Sequence, residues 1–84
     1  MSYVVRSIRG IVKHNEVLLL DQHAVRLITI FGQEEWQTKG IRVSLSQHYN
    51  LRMDASRSDG GNYLVGTRVL AACLGNQVVG LRSV

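Results

Sequence analysis

The sequence predicts a mainly β fold, a small closed barrel of five or so short strands in one domain of 84 residues. Three observations predict it. From Ile41 to Met53 apolar side chains fall at Ile41, Val43, Leu45, Tyr49, Leu51 and Met53, and polar ones at Arg42, Ser44, Ser46, His48, Asn50 and Arg52. Only strands satisfy that period of two, which breaks once, at Gln47. Several short apolar segments separated by turn formers then fill a chain of this length, and an open sheet of them would leave long unpaired edges. Finally, the chain has no proline, so every segment keeps its full set of backbone donors.

Taken in order, Tyr3, Val4, Val5, Ile8, Ile11 and Val12 are spaced mostly by three and four, which predicts a short N-terminal helix within residues 1–14, capped by Ser2. Its β-branched residues and Gly10 suit a strand equally. Residues 16–84 are expected to form the barrel. Glu16 to Phe31 reads as extended structure, with apolar clusters Val17–Leu20 and Val25–Phe31 on either side of a turn at Asp21–His23. Gly32–Glu35 reads as a polar break, after which a strand starts near Trp36 and runs through the alternating stretch, as one strand or as two joined by a small turn. Ala55–Asn62 is dense in turn formers, with Asp59-Gly60 the strongest signal. Val69–Leu74 and Gln77–Leu81 are the last two strands, joined by Gly75-Asn76, residues that permit the positive φ of a tight reversal.

A domain this small buries roughly 60% of the surface its unfolded chain exposes, so its core is thin and self-assembly is the expected support. One cysteine, Cys73, makes no internal disulfide, and three scattered histidines give no zinc spacing; no metal and no cofactor are expected. No apolar run is long enough for a membrane span, and the N-terminal segment carries Arg6 and Arg9, unlike a signal peptide, so a cytoplasmic location is expected. Ten Lys and Arg against six Asp and Glu give a net charge of +4. That positive field suits a polyanion, although no basic run is present and solubility alone accounts for such a charge. No carboxylate pair, and no nucleophile with base and orienter, is indicated, so an enzyme is not expected.

Two segments, Gly40–Met53 and Ala72–Val79, resemble the two signature segments of Sm-like proteins (Sm and LSm, and more distantly bacterial Hfq), β-barrels that form rings on single-stranded RNA. Gly40 and Asn50 stand at the family's separation, Leu51-Arg-Met53 follows as its strand does, and Cys73-Leu-Gly-Asn-Gln-Val-Val79 is similar to the second segment. The resemblance implies a five-stranded, strongly bent antiparallel barrel with a turn near Ser46–His48, and it implies that His48 stacks on a base, that Asn50 hydrogen-bonds a pyrimidine edge and that Asn76 buttresses the pocket. It also implies single-stranded, U-rich RNA as partner, and a homo-oligomeric ring in which the Val69–Leu74 strand pairs with a neighbour's Gln77–Leu81 strand. Two positions depart from the family: Ser46 stands where it has aspartate, and Leu74 where it has the arginine that closes over the base.

The loss of that arginine favours an alternative, a non-RNA assembly module built on the same barrel. A third reading, an OB-type barrel for single-stranded DNA, calls for two or more stacking aromatics on one strand face. The three Tyr, one Trp and one Phe show no such stripe along any one strand. Away from the family pattern, His48 and Asn50 also suit the solvent side of a strand, Cys73 reads as a small core residue, and Trp36 and Tyr63 read as core or interface anchors.

Overall fold

The computed structural model describes residues 5–37, 41–43, 45–56 and 63–84, with 36, 37 and 41–43 described through their backbone. Ser2, Gly40 and the turn expected at Asp59-Gly60 lie outside the described residues. The chain forms β1 (Val5–Leu20), β2 (His23–Gln37), β3 (Ile41–Val43), β4 (Gln47–Asp54), β5 (Arg68–Leu74) and β6 (Gln77–Ser83). Five of these close into a barrel in the order β1-β5-β6-β4-β2, with β2 returning to β1, and β3 is added along the end of β2. The small β barrel read from the sequence is therefore what the chain forms.

The expected N-terminal helix is corrected from Val5 onward, where the chain is strand. Ile8 and Val12 satisfy both periods, and pairing decides between them. As a strand, Val5–Ile11 bonds β5 on one side while Ser7–Leu20 bonds β2 on the other. A helix would have left both neighbours unpaired and placed the β-branched residues in their less favoured state. The polar break at Gly32–Glu35 is also corrected, because β2 runs through it to Gln37, and Trp36 belongs to the end of β2. The acidic residues there are compensated. Glu34 Oε2 lies 3.5 Å from Arg6 Nη1, and Glu35 Oε1 accepts from Arg9 Nε at 3.1 Å. The turn expected near Ser46–His48 is corrected as well: β3 and β4 both pair antiparallel with β2, one after the other, so the chain is interrupted between Val43 and Gln47 without reversing, and His48 lies within β4.

Beyond Val12, β1 parts from β5 and runs on in its hairpin with β2, whose residues 25–32 stay bonded to β4. Val12 N–H donates to Thr67 O at 2.9 Å and Gly66 N–H donates to Val12 O at 2.8 Å; the register then slips between Val12 and His14. The two-residue turn at its tip, Asp21-Gln22, has φ of 47° and 67°, the positive values that match the twist of a tight hairpin. At the opposite end of the chain Gly75 supplies the same handedness with φ 61°. The β4–β6 junction is parallel, at Arg52 and Gln77, with Arg52 N–H donating to Asn76 O at 2.9 Å.

The barrel strands meet in one core: Ile8 and Val12, Ile28 and Ile30, Tyr49, Leu51 and Met53, and Val69, Ala71 and Cys73 follow the period of two, while Val78 and Leu81 of β6 are three apart because the β5–β6 register shifts between them. Tyr63 packs against the core, as an anchor should, and its hydroxyl donates to Leu81 O at 3.4 Å. Full burial of each large aliphatic side chain contributes roughly 1.5–3 kcal/mol. β5 is bonded to β1 on one side and β6 on the other. It therefore has no free edge for the ring contact that the Sm resemblance implies.

Cys73 is fully buried, and that burial pushes its thiol up from 9.0 to about 11; Arg6 pulls against the shift and Glu34 adds to it. The unfolded chain then loses this proton at lower pH than the folded one. The sign follows: the contribution is intact below pH 9.0 and is lost as pH rises toward about 11. Denaturation midpoints are expected to fall across that interval, and Cys73→Ala to flatten the fall. An unchanged slope in the variant would contradict the assignment.

Candidate functional site

Residues paired directly across neighbouring strands share a face, so the register lays out what the barrel presents outward. Phe31 pairs with His48, Thr29 with Asn50 and Leu27 with Arg52 across β2 and β4. The partners between these positions, Ile28, Ile30, Tyr49, Leu51 and Met53, are the core residues. Alternation on two adjacent strands thus puts the outer face of β2–β4 in solvent, carrying an aromatic pair, a hydroxyl–amide pair and an arginine. On β1 the bulge at Val12/His14 realigns the hairpin so that His14 continues the Thr29–Asn50 row.

The Phe31 and His48 rings lie 4.8 Å apart between centroids at 51°, a tilted arrangement within the range of favourable aromatic pairs. Phe31 is 37% exposed although it is the chain's one phenylalanine. Thr29 Oγ1 donates to Asn50 Oδ1 at 3.0 Å, which fixes the amide and leaves its N–H₂ without an acceptor among the described residues. A groove of about 350 Å³ is lined by His14, Leu27, Thr29, Asn50, Arg52 and Asn76. His14 Nε2 sits 3.0 Å from Glu16 Oε1. Arg52 has no ion pair among the described residues.

Asn76 reaches this groove through the barrel's last reversal, and Arg6 holds that reversal in place. Its Nε and Nη2 donate to Gly75 O at 3.0 and 2.8 Å, and Nη2 donates to Asn76 Oδ1 at 2.9 Å. The same guanidinium stands 5.9 Å from the Tyr49 ring centroid, a cation–π distance. One arginine from the first strand therefore ties together the last turn, the acidic residue Glu34 and the start of β4.

Of the three residues singled out in the sequence, Asn50 and Asn76 come together in one groove, while His48 sits one row away beside Phe31. Phe31, Thr29, Arg52 and His14 were not picked out. Each lies on the polar side of its strand, and only the β1–β2–β4 register reveals that they are neighbours. Leu74 faces Val5 and Gln77 and does not line the groove. Ser46 lines a second groove on the other side of Phe31. Among the described residues no group of three or more His, Cys, Asp or Glu is placed to hold a metal, and no helix is long and apolar enough to cross a membrane. No family model, curated protein or solved structure matches this chain.

Proposed function

We propose that this protein binds single-stranded nucleic acid, with U-rich RNA as the expected ligand, along the outer face of β2 and β4. The observation that carries the reading is the exposed Phe31–His48 pair set beside the Thr29–Asn50 pair on one face. An unpaired base needs a flat partner, and stacking is worth about 1–3 kcal/mol per base. The N–H₂ of Asn50, without an acceptor among the described residues, and the amide of Asn76 close by supply hydrogen-bonding groups of the kind that read a pyrimidine edge. Arg52, which has no counter-ion among the described residues, stands ready for a phosphate.

The architecture supports the same reading from a different side. A bent barrel closed through a parallel pair, with a two-stranded face flanked by the β1–β2 and β5–β6 reversals, resembles the OB type, which binds oligonucleotides on that face. The aromatic pair which that type calls for is contributed by two strands, not one. The Sm-like reading keeps one specific support, the shared groove of Asn50 and Asn76. Both readings place a base on the same surface. They differ in assembly, which a native mass measurement with and without oligouridine separates.

Fluorescence anisotropy with U-rich RNA, C-rich RNA and matched single-stranded DNA tests the proposal. Phe31→Ala and His48→Ala are each expected to weaken binding roughly tenfold without lowering the melting temperature appreciably, since both side chains are exposed. Asn50→Ala is expected to reduce the preference for U over C. Binding indifferent to all three substitutions at low salt would refute the site.

A further inference from the structure

We infer that Arg68 and Arg9 form a phosphate-binding subsite beyond Phe31, so that a bound strand continues from the Asn50 groove across β2 and β1 to the start of β5. The inference rests on the proposed reading of the outer face and extends its ligand from a base to a run of nucleotides. Arg68 pairs with Ile11, Ile11 with Phe31, and Phe31 with His48. One row across β5, β1, β2 and β4 therefore reads arginine, isoleucine, phenylalanine, histidine, all on the same face. With strands about 4.8 Å apart, the Arg68 and Phe31 backbones stand roughly 10 Å from each other, a gap the long arginine stem shortens.

A second groove, of about 480 Å³, occupies this region and is lined by Arg9, Phe31, Gln33, Ser46 and Arg68, with Val84 at its margin. Phe31 borders it, and Thr29, the next outward residue on β2, borders the first groove. The two depressions therefore adjoin at the Phe31–His48 pair. Where side chains are missing, the backbones of Gly10 and Gly32 complete the lining. Glu35 accepts from Arg9 Nε at 3.1 Å, and the remaining guanidinium donors have no partner among the described residues. Arg68 is exposed and has no ion pair among the described residues. Two guanidinium groups with an amide and a hydroxyl beside an exposed ring fit a phosphodiester attached to a stacked base, because the planar fork matches the phosphate oxygens. Such a contact adds affinity without reading sequence.

The test measures a UU dinucleotide and an oligouridine of about eight residues against the unmodified protein, Arg68→Gln, Arg68→Lys and Arg9→Gln over roughly 50–200 mM salt. Arg68→Gln is expected to weaken the longer strand roughly five- to tenfold and to reduce the slope of log K against log salt by about 0.7. The dinucleotide, seated at the aromatic pair, is expected to be unaffected, Arg68→Lys to keep the slope, and Arg9→Gln to act in the same direction as Arg68→Gln. If the longer strand binds and neither glutamine variant changes its affinity or slope, the subsite is refuted and the aromatic face stands. An equal loss for both ligands also refutes the subsite. If neither ligand binds the unmodified protein, the reading of the whole face falls and the subsite with it.

Discussion

Gly32→Ala is expected to cost the barrel at least about 3 kcal/mol, seen as a fall in melting temperature of roughly 15 °C or more, or as a failure to fold. Gly32 pairs directly with Gly10 in the antiparallel β1–β2 register. A Cβ on Gly32 would run into the Arg9 carbonyl and the Gly10 Cα, and one on Gly10 would meet the Phe31 carbonyl and stand 2.7 Å from the Gly32 Cα. All of these are backbone atoms. No rotamer relieves the overlap, so the strands must separate, and β1 is the strand that closes the barrel on both sides. Gly80→Ala is the control, because a Cβ there meets only the Ala72 side chain, at 3.8 Å, and is expected to change stability by less than about 0.5 kcal/mol. Equal melting temperatures for the two variants would show that the Gly10–Gly32 contact is looser than described.

Arg6→Met is expected to destabilise the fold by about 2–3 kcal/mol and to weaken strand binding in parallel. Glu34 is 8% exposed, and losing the guanidinium at 3.5 Å leaves a nearly buried carboxylate without that counter-charge. The Gly75 carbonyl and the Asn76 amide lose their donor at the same time, which frees the turn that brings Asn76 to the groove. Removing both charges, as Arg6→Met with Glu34→Met, is expected to recover more than about 1 kcal/mol relative to Arg6→Met alone, since two apolar groups need no compensation. Denaturant titration of the four proteins closes the cycle. A double variant no more stable than Arg6→Met would assign the loss to packing, not to charge.

Strand content was legible wherever one period excluded the other. Tyr49, Leu51 and Met53 alternate with His48, Asn50 and Arg52, and no helix accommodates that, so β4 and its outward residues could be named from the sequence. At Ile8 and Val12 the spacing of four serves a helix and a strand alike, and what decided it, bonding to both β5 and β2, comes from residues far along the chain. Glu34 and Glu35 looked like a break because their compensating cations, Arg6 and Arg9, sit on another strand. The site divides in the same way. His48 and Asn50 follow from β4 alone, whereas Phe31 becomes their neighbour only through the β2–β4 register, which no local pattern specifies. The orientation of the Asn50 amide was equally invisible, since it depends on Thr29 donating to its oxygen.

The double duty of β1 bears on how quickly the molecule forms. Arg6 and Gly75, bonded in the native structure, are 69 residues apart, and β1 acquires its second neighbour only when β5 arrives. Hairpin formation between β1 and β2 takes microseconds, but joining distant segments places such chains among those that fold in milliseconds to seconds. On a ribosome β1 waits with one side bare until β5 has emerged, while Val17, Leu19 and Leu20, exposed even in the folded structure, stand at its tip. Aggregation of the nascent chain is accordingly the hazard this connectivity creates, and the apolar tip is where it begins.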